Sequence, residues 1–176
     1  MPIFLACLLA TAPASAADQA KLDDLFTRLK TADAAEAGRI EAEIWIEWSK
    51  SGSPAMDLLL QRGQDALDQG NTAAAIEHLT ALIDHDPDFE EAWNARATAY
   101  YMAGEIGPAL ADISHVLQAD PRHFGAMTGL ALILEESDKP QQALDVYRAA
   151  AAIHPHMAQV NEAIARLEKT LEGQEL

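Results

Sequence analysis

The chain has 176 residues, 49% of them hydrophobic, with 12 Lys and Arg against 28 Asp and Glu and a formal net charge of −16. That length and apolar content suit one domain of ordinary size with a core of its own. A chain this acidic lacks the clustered cations that hold nucleic acid or anionic lipid, and its single cysteine makes neither a disulfide framework nor a Cys-rich zinc site.

In chain order, the first element is an apolar run, Ile3 to Ala10, followed by small residues ending in Ala14-Ser15-Ala16-Ala17. Residues 1–17 therefore read as a secretory signal cut near Ala16 or Ala17. The run is too short to span a bilayer, which needs about 20 apolar residues. No Lys or Arg precedes it, which leaves open whether Met1 is the true start. Cys7, preceded by Phe4-Leu5-Ala6, is a poor lipidation site. Cleavage removes this one cysteine, as suits an oxidising compartment. The expected location is periplasmic or secreted, with no stable membrane insertion afterwards.

Residues 18–50 carry two helical stripes. Leu22, Leu25, Phe26 and Leu29 form one, and Ile40, Ile44, Trp45 and Trp48 the other, predicting helices near 19–31 and 34–50. They are expected to form a hairpin packed on the repeat that follows, with Trp45 and Trp48 in the core. Ser51-Gly52-Ser53 breaks the chain, and Ser53-Pro54 suits an N-cap and a first helical residue.

An internal period then takes over. Pro87, Pro121 and Pro155 are spaced by 34 residues and divide residues 54–157 into windows 56–89, 90–123 and 124–157. Small residues recur at the eighth position (Gly63, Ala97, Ala131) and Ala at the twentieth (Ala75, Ala109, Ala143). The twenty-fourth is large (Leu79, Ile113, Tyr147), and the fifteenth is Gly70, Gly104 and then Asp138. Each window thus predicts two helices, A and B, broken at the fifteenth position, where Gly takes the left-handed cap conformation. Asp138 at this turn and Met127 at the fourth position predict a looser third repeat, not a lost one. Arg96 and Asp112 are expected to pair across their hairpin as an exposed ion pair. Residues 158–172 form one more amphipathic helix, a polar-backed cap within a C-terminal segment 158–176.

This pattern resembles the tetratricopeptide repeat (TPR) family, and the exported reading of residues 1–17 marks it as an exported, bacterial type. The central window carries the resemblance most fully, in Trp93, Ala97, Tyr100, Gly104, Ala109 and Pro121. It implies an all-α fold: a right-handed α-α superhelical solenoid of three TPR helix pairs, here with an N-terminal helical hairpin and a C-terminal capping helix. It also implies that A helices line a concave, peptide-binding groove. The lining carried over is Asp57, Leu60, Gln64, Leu67 and Asp68 from the first repeat, Glu91, Asn94, Thr98, Tyr101 and Met102 from the second, and Gly125, Thr128, Leu132, Glu135 and Glu136 from the third. Of these, Gln64, Glu91, Asn94, Thr98, Tyr101, Thr128, Leu132 and Glu135 are the expected contacts. None is Lys or Arg, a departure from the TPR subfamily that grips a partner's C-terminal carboxylate with Lys, Asn and Arg.

The search for other chemistry returns little. Phosphate loops, H-E-x-x-H, G-x-S-x-G and C-x-x-C are absent. Asp84, Asp86 and Asp88 alternate like a calcium loop but lack its Gly and contain Pro87; Asp88 and Glu91 read better as a capping box for the next helix. His85, His123, His154 and His156 fall near B-to-A turns and are expected at the surface, too dispersed to share a metal. The expectation is a non-enzymatic exported adaptor or scaffold, without metal or cofactor, that binds a neutral or basic peptide or helix in its groove. The alternative is an envelope assembly component that binds through its N-terminal hairpin or convex face and self-associates.

Overall fold

The structure, a computed structural model, describes residues 18–173; the expected signal segment 1–17, with Cys7 and the bonds after Ala16 and Ala17, and residues 174–176 lie outside them. The described residues form nine helices and no strand: α1 (Gln19–Leu29), α2 (Ala34–Trp48), α3 (Pro54–Asp68), α4 (Thr72–His85), α5 (Glu90–Met102), α6 (Ile106–Ala119), α7 (Phe124–Glu136), α8 (Pro140–Ile153) and α9 (Ala158–Glu172). The pairs α3–α4, α5–α6 and α7–α8 stack in order, and α9 lies on α8. The result is an all-α solenoid of three helix pairs.

Small residues set its spacing. Ala75, Ala109 and Ala143 are fully buried, and a Cβ on Gly63 would sit 2.6 Å from the Leu79 side chain. Close helix approach there requires the missing methyl. The three inter-helix turns share one geometry. Gly70, Gly104 and Asp138 all have positive φ, at 70°, 78° and 56°. The next residue donates back to the A helix each time: Asn71 N–H to Ala66 O, Glu105 N–H to Tyr100 O, and Lys139 N–H to Leu134 O. The third turn is therefore not looser, because a short Asp side chain tolerates the left-handed region.

Arg96 and Asp112 do meet across their hairpin, with Nε 2.8 Å from Oδ2 and Nη2 2.9 Å from Oδ1. The pair is not exposed, however; the side chains keep only 12% and 5% of their surface. Nη1 also donates to Thr80 Oγ1 on α4, and the guanidinium lies 4.8 Å over the Trp93 ring. The preceding repeat and Trp93 cover what two helices alone would leave in water.

The N-terminal hairpin departs most from expectation. It folds back along the edge formed by later B-to-A turns instead of packing on the first repeat. Leu22, Leu25, Phe26, Leu29, Ile40, Ile44 and Trp48 share one core cluster with Phe124, flanked by Trp45, Ile153 and Met157. Trp48 Nε1 donates to Asp120 Oδ2, Arg122 pairs with Asp23, and a His156 ring nitrogen lies 2.9 Å from Ala32 O. Trp48 is buried and Trp45 half-buried, in core positions.

This docking buries two of the turn histidines. His123 and His154 are almost fully enclosed, whereas His85 and His156 are exposed. His123 Nδ1 accepts from Ala126 N–H and so caps α7. The Asp88–Glu91 capping box does not form: Phe89 occupies the N-cap of α5 without a side-chain cap bond, its ring buried in the core. Ser53 holds the N-cap position of α3 but likewise makes no cap bond. Ser51 and Asp57 instead bond to each other, with Oγ 2.6 Å from Oδ1.

Candidate binding groove

The A helices α3, α5 and α7 touch in succession and share one face. Between α5 and α7 that face deepens into a pocket of about 260 Å³. Asn94, Thr98, Tyr101 and Met102 form its α5 wall, and Gly125 and Leu132 its α7 wall. Ala97, Ile113, Ala126, Gly129 and Ile133 make the floor. Met102 and Leu132 are among the few large apolar residues left exposed.

Four of the eight groove residues expected from the sequence, Asn94, Thr98, Tyr101 and Leu132, thus come together. The other four do not. Gln64, on α3, lies outside this pocket. Thr128 faces a separate depression lined by Glu41, His156 and Gln159. Glu135 is engaged by Arg166 of α9. Glu91 is buried, not lining: it accepts from Asn94 Nδ2 at 3.1 Å and lies 3.3 Å from His123 Nε2. Because His123 Nδ1 accepts a backbone N–H, the neutral ring carries its proton on Nε2, directed at Glu91. The Trp48 ring is stacked on His123.

The expected lining omitted the pocket's floor. Gly129 is the part that left a trace in the sequence, since Gly inside a helix costs about 1 kcal/mol relative to Ala and so marks a place where space is being kept. A Cβ there would meet only Ile113 Cδ1, at 3.6 Å. At Gly125, by contrast, a Cβ would come within 2.6 Å of Trp45, so the hairpin forms the neighbouring wall.

The rim is acidic. Tyr101 donates its hydroxyl to Glu136 Oε1 at 2.7 Å, and that bond, with some help from burial, raises the Tyr101 pKa. None of the described residues that line the pocket is Lys or Arg. Among the described residues no group of three or more His, Cys, Asp or Glu side chains is placed to hold a metal ion. No helix among them is long and apolar enough to cross a membrane.

Residues 60–114 and 103–158 match the family model of the tetratricopeptide repeat. The chain belongs to the tetratricopeptide repeat family. A TPR repeat-containing protein of Rhizobium etli is 37% identical over 161 residues, covering 91% of this chain and 79% of that protein. The DnaJ homolog subfamily C member 3 of Homo sapiens is 29% identical over 117 residues, 66% of this chain but only 23% of the relative's length. Among solved structures, the first TPR of Spaghetti (RPAP3), bound to the HSP90 peptide SRMEEVD, superposes with a TM-score of 0.63 at 19% identity, covering 66% of this chain and 95% of that one. At that identity the likeness is one of fold. Tetratricopeptide repeats are generally non-catalytic and commonly mediate protein–protein interaction, including peptide binding.

Proposed function

We propose that this TPR protein is an exported, non-enzymatic adaptor that binds a neutral or basic peptide segment of a partner protein on its concave face. The observation that carries the reading is the apolar pocket between α5 and α7, open to solvent and lined without Lys or Arg. The peptide held by Spaghetti carries Glu-Glu-Val-Asp at its end; a segment of that charge finds no cation on this lining. Asn94 adds an amide beside the apolar walls, suited to an extended backbone. The hairpin's aromatic face is used inside the chain, which favours the groove over the hairpin as the docking surface. Export rests on the pattern of residues 1–17. Asp18 itself caps α1, so the cap stays with the mature chain whichever of the two bonds is cut.

The test is photo-crosslinking in intact cells, with the reactive residue placed at Thr98 in the groove or at Ile46 on the exposed side of α2. A partner captured from Thr98, and lost in Asn94→Ala/Tyr101→Ala, is the expected result. Capture from Ile46 alone would reject the groove. Intact mass of the protein from the envelope fraction checks the cleavage.

A further inference from the structure

We infer that the α5–α7 pocket and its rim select a particular dipeptide-scale feature: an aliphatic side chain (Leu, Met or Ile) with a Lys or Arg beside it. This deepens the groove reading and rests on it.

The size argues for a side chain. Small-molecule sites enclose about 300–1,000 Å³; this pocket, at about 260 Å³, lies at the low edge of that range and has room for one aliphatic side chain. Its floor of Ala97, Ala126, Gly129 and Ile133 has no polar side-chain atom, so an occupant is held by apolar burial and dispersion, which reward an aliphatic group of matching shape.

The rim carries a charge that the floor lacks. Glu135 and Arg166 satisfy each other, which leaves Glu136 as the carboxylate at the rim. It accepts one bond, from the Tyr101 hydroxyl, and that bond fixes it beside the pocket mouth. The Glu136 carboxylate therefore sets a negative charge next to an apolar cavity. A peptide that puts an aliphatic side chain in the cavity carries its neighbouring residue onto this rim, where Lys or Arg is attracted and Asp or Glu repelled. Beside Gly125 the pocket's neighbour is the apolar Trp45 ring, so the charge preference lies on the Glu136 side.

The experiment is selection of a random peptide library displayed on phage against the full chain, Gly129→Leu and Glu136→Gln. Wild type is expected to enrich peptides with Leu, Met or Ile adjacent to Lys or Arg. Filling the cavity with Gly129→Leu should weaken the selected peptide, read by fluorescence anisotropy, about tenfold or more, as loss of one buried aliphatic group implies. Glu136→Gln should weaken it by about threefold at low salt and not at high salt, as an exposed ion pair would. Circular dichroism checks that each variant folds. Gly129→Ala, whose methyl finds ordinary contact distance to Ile113, carries the same test with a smaller effect if the Leu variant does not fold. Enrichment of acidic peptides, of none, or of the same peptides with equal affinity by wild type and the Gly129 variants would overturn the assignment. A native partner lost in Asn94→Ala/Tyr101→Ala but kept in Gly129→Leu would remove the pocket and leave the groove reading standing.

Discussion

The Trp48 indole lies flat on the His123 imidazole, with ring centroids 4.0 Å apart and planes inclined by 13°. The contact joins residues 75 positions apart in the sequence and anchors the N-terminal hairpin to the turn that opens α7. Phe26, Trp45 and Phe124 pack around it edge-on or tilted, with centroids 5.0 to 6.5 Å apart.

Removing this anchor should be expensive. Trp48→Ala deletes a large buried ring and leaves a cavity, a change that typically costs about 3–5 kcal/mol. Chemical denaturation followed by circular dichroism measures it. His123→Asn, which keeps a capping acceptor for α7 but loses the stack, should cost less than Trp48→Ala. An equal loss in both would mean that the ring contributes through the stack alone.

The Arg96–Asp112 pair separates two ideas about buried charge. Arg96→Ala leaves Asp112 without its bidentate partner at a site only 5% exposed, and breaking such pairs costs about 3–5 kcal/mol. Replacing both together, Arg96→Met with Asp112→Leu, should recover most of that loss, since apolar substitutes for a buried pair are often neutral or better. A double variant as unstable as the single one would show that the Thr80 bond and the Trp93 contact matter more than the charges. Both are read from denaturant midpoints.

The three matched turns give a pair of opposite expectations. Asp138 holds φ at 56°, so Asp138→Gly should stabilise the protein by about 0.5–1 kcal/mol, the cost of left-handed backbone for a side chain less the entropy Gly adds. Gly104→Ala should destabilise by about 1 kcal/mol for the same reason. A Cβ there has no neighbour within 4 Å, so the effect is conformational and not steric. Thermal melts of the two variants test the signs.

Acid should loosen the hairpin through Glu47. Burial alone would raise its pKa, but bonds from Lys50, the Asp18 backbone N–H and Lys21 outweigh it and hold the carboxyl down to about 2. A depressed folded-state value means that the contribution is complete above the unfolded value of 4.5 and is lost as pH falls towards about 2. Glu47→Gln should therefore lower the melting temperature at pH 7 and narrow the difference from wild type as the solution is acidified. A constant difference across that window would rule out the ionised carboxylate as the source.

Much of the architecture was legible because repeat proteins bury surface between near neighbours in sequence. Gly63, Ala75, Ala109 and Ala143 had to be small for adjacent helices to approach, and the fifteenth position had to turn the chain. The Arg96–Asp112 contact followed from the same period, since it crosses a single hairpin. The candidate groove was legible by halves. The expectation named the walls at Asn94, Thr98, Tyr101 and Leu132, but not the floor at Gly129 and Ile133, because a register carried over from a family names exposed positions and says nothing of the depth between them.

The sequence by itself determined the helices, their pairing and the family, since each depends on contacts one repeat apart. Where the hairpin docks was decided only by the tertiary structure. The apolar stripe of Leu22, Leu25, Phe26, Ile44 and Trp48 could be buried against any complementary surface, and periodicity does not distinguish the face of the first repeat from the edge beside Phe124. Burial of His123 and His154, enclosure of Glu91 and the Trp45 contact at Gly125 all follow from that choice. The excess acid became informative in the same way. As a net charge of −16 it excluded partners, whereas in three dimensions Arg166 neutralises Glu135 and Tyr101 fixes Glu136 at the mouth of an apolar pocket.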